Sequence, residues 1–214
     1  NNTAVLYVEN FINGAGNAQV TGATFHAARD PNLDLSNTAL TIFGSNAKDI
    51  TTASAQADVI NAGDGNDQIF GSFGADTIDA GAGDDVVFVR VADLTGDVSI
   101  SGGTGSDTLN FGKIFNLQGF GTAVGNLTAP AITFDLSSSS SDGPGVATGF
   151  ANVVGSLEAD TITGDSTANI LIGGGGADVI YGGDGNDTIY GDNNPSDDSG
   201  DSFGLPFDLV QISS

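Results

Sequence analysis

The sequence contains neither cysteine nor methionine, and only four of its 214 residues are lysine or arginine. Without cysteine there is no disulfide framework, no thiolate metal site and no thiol nucleophile. Four cations cannot build the basic surface that nucleic acids and anionic membranes require. The composition therefore predicts no nucleic-acid partner and no electrostatic binding to a membrane surface.

Long hydrophobic runs are also scarce. The longest uncharged stretch near the middle, 114–134, contains Asn116, Gln118, Asn126 and Pro130, each of which is costly in lipid. We therefore expect no membrane insertion. At the same time, 39% of the residues are hydrophobic, which is enough to fill a core and argues against a disordered chain.

Negative charge, by contrast, is abundant. The 27 acidic residues give a formal net charge of −23, and all of them except Glu9 and Glu158 are aspartate. Glycine occurs 33 times, about twice its average share. Short carboxylates in such excess are natural ligands for a hard metal cation, so the composition indicates a metal-binding protein.

A nine-residue period runs through two parts of the sequence. Residues 62–88 are three consecutive nonapeptides, AGDGNDQIF, GSFGADTID and AGAGDDVVF, with Asp sixth and an aliphatic residue eighth. Weaker copies fill 44–61, and GGTGSDTLN at 102–110 follows a 13-residue interruption. A second block at 155–190 reads GSLEADTIT, GDSTANILI, GGGGADVIY and GGDGNDTIY. So many copies in fixed phase are not chance.

The chemistry of a tight turn explains this spacing. Glycine supplies the positive φ that other residues resist, and a tight turn aims peptide carbonyls at one point, where the sixth-position carboxylate joins them. Such an oxygen cage suits Ca²⁺, which takes six to eight ligands at about 2.3–2.6 Å, better than Mg²⁺. The last three residues would form a short strand whose middle side chain points inward. The predicted aliphatic stack is Ile69, Ile78, Val87, Leu109, Ile162, Leu171, Ile180 and Ile189.

These nonapeptides resemble the Gly-Gly-x-Gly-x-Asp-x-aliphatic-x repeat of the RTX family of secreted calcium-binding proteins. The resemblance implies an all-β fold, a right-handed parallel β-roll or β-helix solenoid with Ca²⁺-binding turns. In this family two nonapeptides make one coil, so loops n and n+2 stack and share each ion. The implied cofactor is Ca²⁺, about six ions, which would offset half of the net charge.

The resemblance also implies ligands. Loop stacking pairs Asp58 with Asp76, Asp67 with both Asp49 and Asp85, Asp178 with Asp160, and Asp187 with Asn169, where a weaker site is expected. The 13-residue interruption leaves the partner of Asp107 open. The turn glycines of these sites are Gly63, Gly65, Gly74, Gly81, Gly83, Gly103, Gly105, Gly174, Gly176, Gly183 and Gly185.

The repeats divide the chain into five regions. An N-terminal β region at 1–43 is a possible cap or assembly strand, and its strand candidates are Thr3–Val8, Gln19–Phe25 and Ala39–Phe43. The first repeat block spans 44–110, and a long-loop insert at 111–154, with a strand candidate at Ala131–Leu136, is expected to continue the solenoid. The second block spans 155–201, and an apolar tail or cap follows at 202–214.

Catalysis is not expected. His26 is the only histidine, and any Ser-His-Asp triad would have to use it. Ser202 lies in a GDSFG match to the nucleophile elbow, but an acidic loop and Pro206 flank it instead of a strand and a helix. The repeat aspartates are committed to metal, so we predict that the protein is not an enzyme.

Two functions fit these features. The first is an extracellular or cell-surface structural protein that folds on binding Ca²⁺ and self-assembles, as a homo-oligomer or head-to-tail polymer, into a surface layer, fibre or adhesin. The second is a Ca²⁺-triggered folding and secretion module of a larger type I-secreted enzyme such as a protease or lipase. The apolar ends would cap the solenoid within one chain in the second case and pair between chains in the first.

Overall fold

The chain folds into strands alone in the part that the structure, a computed structural model, describes. That part is residues 3–7, 24–26, 39–53, 56–70, 74–89, 98–112, 131–137, 145–192 and 209–211. Every regular element in these ranges is a β-strand, and none of them contains a helix that is long and apolar enough to span a bilayer. The expected all-β fold is confirmed.

The strands form three sheets, and every pairing between them is parallel. The first sheet contains, in spatial order, β1 (Thr3–Tyr7), β3 (Ala39–Phe43), β5 (Val59–Asn61), β7 (Thr77–Asp79), β9 (Val98–Ser101) and β12 (Gly145–Thr148). The second contains β2 (Thr24–His26), β4 (Ile50–Thr52), β6 (Gln68–Phe70), β8 (Val86–Phe88), β10 (Thr108–Asn110), β13 (Asn152–Val154), β15 (Ile170–Gly174) and β17 (Thr188–Asp192). The third contains β11 (Thr133–Asp135), β14 (Thr161–Thr163), β16 (Val179–Tyr181) and β18 (Leu209–Gln211).

Each strand pairs with the strand two places along the chain in the repeat blocks, which is the topology of a solenoid. Ile60 pairs with Ile78, and Ile69 pairs with Val87, so one coil takes 18 residues, or two nonapeptides. A chain that alternates between two facing sheets can repeat this step because each coil buries its apolar face against its neighbours. The expected parallel β-solenoid is therefore present.

The core lies between the sheets and is built from the eighth residue of each repeat. Most of the three-residue strands bury only their middle side chain, as the pleat requires, while β4, β6 and β13 also bury an end residue. The buried middle residues are Ile60, Ile69, Ile78, Val87, Leu109, Val153, Ile162, Leu171 and Ile180, with Ile189 packed against them and partly buried. The predicted aliphatic stack is thus the observed core.

The two interruptions of the period leave the stack in register. Leu109 pairs with Val87 across a coil of 22 residues, four more than usual, and with Val153 on its other side. In the insert, β11 pairs with β14 while β12 pairs with β9, so strands of the insert join the sheets on both sides. The described strands on either side of the two interruptions therefore keep one register.

The N-terminal strands extend the same sheets. The strand predicted at Thr3–Val8 is β1, which pairs with β3, and the strand predicted at Gln19–Phe25 is present as β2, which pairs with β4. Positions 19–23 lie outside the described residues. At the other end, β18 pairs with β16 and places part of the predicted apolar tail in the third sheet.

Candidate metal sites

The sixth residues of the loops form hydrogen-bonded ladders along the solenoid. The backbone N–H of Asp49 donates to Oδ1 of Asp67 at 2.7 Å, and the N–H of Asp67 donates to Oδ1 of Asp85 at 2.7 Å. Asp85 donates in turn to Oδ1 of Asp107 at 2.9 Å. Four consecutive carboxylates therefore stand one coil apart on one side of the roll, and Asp85 lies next to Asp107, whose partner the sequence left open.

The other paired positions follow the same rule. Three more bonds of this type run from Asp58 to Asp76 at 2.9 Å, from Asp160 to Asp178 at 2.9 Å and from Asn169 to Asp187 at 3.1 Å. The structure therefore brings together every pair of side chains that the repeat spacing had placed in neighbouring coils.

The second oxygen of several carboxylates is buried without a hydrogen-bond partner. This holds for Oδ2 of Asp67, Asp85, Asp107 and Asp187. The side chains of the first three are 1%, 0% and 0% exposed, so water does not solvate them. Because a buried ionised oxygen without a partner is strongly unfavourable, these positions require a cation or a proton.

Burial also changes the acidity of these groups. Removal from water raises the pKa of Asp67 to about 7, opposed by the hydrogen bond from the N–H of Asp49 and helped by the charges of Asp85 and Asp49. Burial likewise raises the pKa of Asp107 to about 6, and that of Asp85 in the same direction. The common cause is desolvation of the charged form, which a bound cation would offset.

Glycines let the loop backbones approach closely. At the second loop position, Gly63, Gly81 and Gly103 have φ of 100°, 106° and 95°, a region that side chains rarely allow. A Cβ on Gly81 would overlap the carbonyl oxygen of Gly63, and one on Gly103 would overlap that of Gly81. The carbonyl of Gly63 accepts the N–H of Ala82, and that of Gly81 accepts the N–H of Thr104, so backbone hydrogen bonds join successive loops at this close approach.

The remaining predicted turn glycines also have positive φ. They are Gly65, Gly74, Gly83, Gly105, Gly174, Gly176, Gly183 and Gly185, with φ between 89° and 140°. All the glycines predicted from the repeat therefore adopt the turn conformation for which only glycine is well suited.

The donor set fits calcium. Within the described ranges, no group of three or more His, Cys, Asp or Glu side chains gathers at one point, as a zinc site built from side chains would need. Carboxylates of consecutive coils stack in pairs, and the loops add peptide carbonyls and exposed side-chain oxygens such as Oδ1 of Asp84, which accepts the N–H of Ser106. Carboxylate pairs completed by carbonyls or water are ligands of a hard, weakly directional cation such as Ca²⁺.

Among the loops whose second residue the structure describes, three differ, because a residue other than glycine occupies that position. The N–H of Ser45 donates to Oδ2 of Asp49 at 2.6 Å, and its hydroxyl lies 3.0 Å from the same oxygen. Ser156 makes similar hydrogen bonds to Asp160: its N–H donates to Oδ2 at 2.5 Å, and its hydroxyl donates to Oδ1 at 2.8 Å. These carboxylate oxygens already have protein donors.

The third such loop ends in an amide. The N–H of Asp165 donates to Oδ1 of Asn169 at 2.9 Å. The Nδ2 group of Asn169 donates to the carbonyl of Ala151 at 2.9 Å, in the neighbouring coil. Oδ1 of Asn169, the oxygen expected to be a weak ligand, therefore accepts a protein hydrogen bond. Sequence reasoning missed Ser45, Ser156 and Asp165, although the missing glycine at the second position was a visible signal.

The insert interrupts both columns of carboxylates. On the Asp107 side, the N–H groups of Ala151 and Asn152 donate to the carbonyl of Asp107 at 3.0 Å, and no carboxylate stands at this level. On the other side, the N–H of Ile132 donates to Oδ1 of Asp160 at 2.8 Å. Apolar residues thus occupy the sixth-position level where the two blocks meet.

His26 and Ser202 are the residues that the sequence offered for catalysis. His26 lies in β2, and Ser202 falls outside the described residues.

Comparison with known proteins identifies the repeats. The sequence matches the RTX calcium-binding nonapeptide repeat in four copies, at residues 52–87, 90–113, 149–178 and 163–194. No curated protein gives a significant match to the chain.

Proposed function

Because this chain belongs to the RTX calcium-binding repeat family, we propose that it is an extracellular structural protein that folds on binding Ca²⁺ and assembles with copies of itself into a surface layer, fibre or adhesin. We assign it no catalytic role. The observation that carries the calcium part of the proposal is the row of buried carboxylate oxygens without partners at Asp67, Asp85 and Asp107.

The ligands that we propose come from the loops of consecutive coils. Carboxylates of consecutive coils, such as Asp67 with Asp85 and Asp85 with Asp107, would hold each ion together with peptide carbonyls of the loops. Bound Ca²⁺ supplies the positive charge that allows these carboxylates to stack. The chain's own residues position the oxygens, since each Oδ1 is fixed by an N–H of the preceding coil.

Folding and calcium binding would then be one process. With a net charge of −23 and few cations, the coils repel one another when no metal is bound. A site made of oxygens from two coils does not exist in the unfolded chain, so binding free energy becomes folding free energy. Such a chain is much less stable where calcium is scarce than where it is abundant, which supports an extracellular location, as does the secretion typical of RTX proteins.

Self-assembly is supported by the two ends of the solenoid. In the described sheets, β1 and β2 have a partner on one side only, and so do β17 and β18 at the opposite end. An open strand edge is a template for another strand. Because the two ends differ, joining one to the other is a head-to-tail contact, which produces filaments or lattices instead of closed dimers.

The second candidate is a calcium-triggered folding and secretion module of a larger exported enzyme such as a protease or lipase. The coupling of folding to calcium favours it equally, because that coupling requires no second copy. In this case the end strands cap one chain, and the calcium-loaded protein remains monomeric.

Electron microscopy and analytical ultracentrifugation, with calcium and with EGTA, separate these functions. We expect ordered polymers in calcium that dissociate in EGTA. A calcium-folded monomer at all concentrations would contradict the structural role and support the module. A polymer that persists unchanged in EGTA would contradict calcium-dependent assembly, and absence of calcium binding would contradict both.

A further inference from the structure

We propose that the second residue of each loop decides whether that loop binds Ca²⁺ or closes on itself. An ion would lie where two consecutive coils both present glycine there, between loops 62–67 and 80–85 and between loops 80–85 and 102–107. Where one of the two loops has Ser or Asp at this position, protein hydrogen bonds would close the contact and exclude the ion. This inference rests on the proposed calcium-binding function and specifies which of its sites are used.

The first observation is the division of the loops into two classes. In the glycine loops 62–67, 80–85, 102–107 and 182–187, Oδ2 of the sixth residue is buried and has no hydrogen-bond partner. In the self-closed loops 44–49, 155–160 and 164–169, the N–H of the second residue donates to an oxygen of the sixth. The second residue is glycine in every loop of the first class, and it is Ser or Asp in the loops of the second class.

The reason is conformational. Gly63, Gly81, Gly103 and Gly183 have φ between 89° and 106°. An L-residue rarely adopts this region, so a side chain at the second position favours a different backbone rotation. In the loops that carry Ser45, Ser156 and Asp165, the N–H is directed at the sixth side chain.

A donor in this place excludes a cation. A carboxylate oxygen that accepts an N–H at 2.5–2.6 Å, and a hydroxyl besides, has partial positive charge where a metal would have to approach. In the loop that ends at Asn169, a protein donor also takes the place of the ion between coils, since the Nδ2 group of Asn169 donates to the carbonyl of Ala151 in the next coil. An amide N–H thus joins two coils as a shared ion would.

The glycine loops cannot carry a side chain at the second position while they remain stacked on their neighbours. Cβ atoms on Gly81 or Gly103 would overlap the carbonyl oxygen of the preceding loop, and one on Gly183 would overlap that of Asp165. A side chain at these positions forces the loop away from its neighbour. The second position is therefore a specificity-determining residue for metal binding, one loop at a time.

The test is to add an ion by removing a side chain. Ser156→Gly would place glycine in loop 155–160 against loop 173–178, where Gly174 already has φ of 105°. Ser166→Gly is the matched control, because Ser166 is an exposed third-position residue of a neighbouring loop and loses the same side chain. Native mass spectrometry of the full chain in limiting and saturating calcium would count bound ions.

We expect Ser156→Gly to bind one ion more than the wild type, and Ser166→Gly to bind the same number as the wild type. Equal counts for both variants would overturn the inference while leaving the proposed function intact, provided that the wild type binds calcium. Failure of the wild type to bind calcium would instead overturn the proposed function.

A second variant pair covers a failure of Ser156→Gly to fold. Asp165→Gly combined with Asn169→Asp would supply both missing features in loop 164–169, opposite Gly183 and Asp187. We expect one additional ion from the double change and none from Asp165→Gly alone if the Asn169 amide still joins the coils. No additional ion from the double variant, folded in calcium, would also overturn the inference.

Discussion

The first-block loops from 62 to 107 and the loops from 155 to 169 have the same coil geometry but different means of closure. In both regions the eighth residue is buried in one continuous core, and the strands keep a common register. In the first region, carboxylate oxygens remain buried without partners, whereas in the second, serine, asparagine and backbone donors satisfy them. The strand pattern therefore determines the coil, and we propose that the loop determines whether the coil needs a metal.

Calcium removal should separate the two regions most strongly. In EGTA we expect the amides of Val86 and Thr108, which donate to carbonyls of the preceding glycine loops, to lose protection from hydrogen exchange. The amides of Thr161 and Ile170, in coils closed by protein hydrogen bonds, should stay protected longer. If free calcium exceeds the dissociation constant about a hundredfold, the loss is on the order of 2.7 kcal/mol. Equal loss of protection in both regions would show that calcium stabilises them to the same extent.

Neutralising one carboxylate in each region should give the next largest contrast. Asp85→Asn removes the charge shared by two neighbouring loop contacts, while its remaining Oδ1 can still accept the N–H of Asp67. We expect isothermal titration calorimetry to show at least about tenfold weaker calcium binding, or about 1.4 kcal/mol. The matched change Asp160→Asn, in a loop closed by Ser156, should alter calcium affinity little. Equal effects of both would contradict the distinction.

The pH dependence of stability should differ in sign with and without metal. The folded pKa of Asp67 is about 7 and that of Asp107 about 6, both above the ordinary value of 3.8. Between the ordinary and the folded pKa values, these carboxyls hold more protons in the folded metal-free chain than in the unfolded chain. The stability of the metal-free chain therefore falls as pH rises through about 7. With calcium the trend should reverse, because protons compete with the metal.

Thermal unfolding from pH 4 to 8, in EGTA and in calcium, measures these slopes. Asp67→Asn should flatten the metal-free slope, since its side chain does not titrate. A metal-free stability that rises with pH across this window would contradict the buried, partnerless state of these carboxylates.

The smallest expected effect is that of one hydroxyl. Ser156→Ala removes the donor to Oδ1 of Asp160 and should destabilise the chain in EGTA by about 0.5–1.5 kcal/mol. Ser166→Ala, at an exposed position, should stay within about 0.5 kcal/mol of the wild type. Chemical denaturation followed by circular dichroism would measure both. If Ser166→Ala proved the more harmful, the hydroxyl of Ser156 would not hold its loop closed.

The nine-residue period was sufficient to predict the fold and its core. Ile69, Ile78 and Val87 were expected inside, and they are among the most buried residues. The period succeeds because a short strand buries one residue in a fixed place after each loop, and eighteen residues return the chain to the same sheet. The sixth-position pairs follow from the same count.

What the sequence left open depended on geometry outside the repeat. The interruption before Gly102 did not reveal where its four extra residues lie, and only strand pairing placed Asp107 beside Asp85. The hydrogen bonds of Ser45 and Ser156 depend on donors that take the place of glycine, whereas the repeat pattern indicates only oxygen ligands. The contact of Asn169 with Ala151 joins residues from a repeat and from the insert, so no period indicates it.

The strand ladder has one practical consequence for protein engineering. Coils of 18 and 22 residues, and one of 44, all return the eighth residue to the same stack. Turn length and stacking are therefore independent, as in other scaffolds where loops accept guest sequences. A reporter tag or small guest domain grafted between positions 89 and 98 should leave the ladder intact, and in the assembly that we propose such cargo would be displayed at regular intervals.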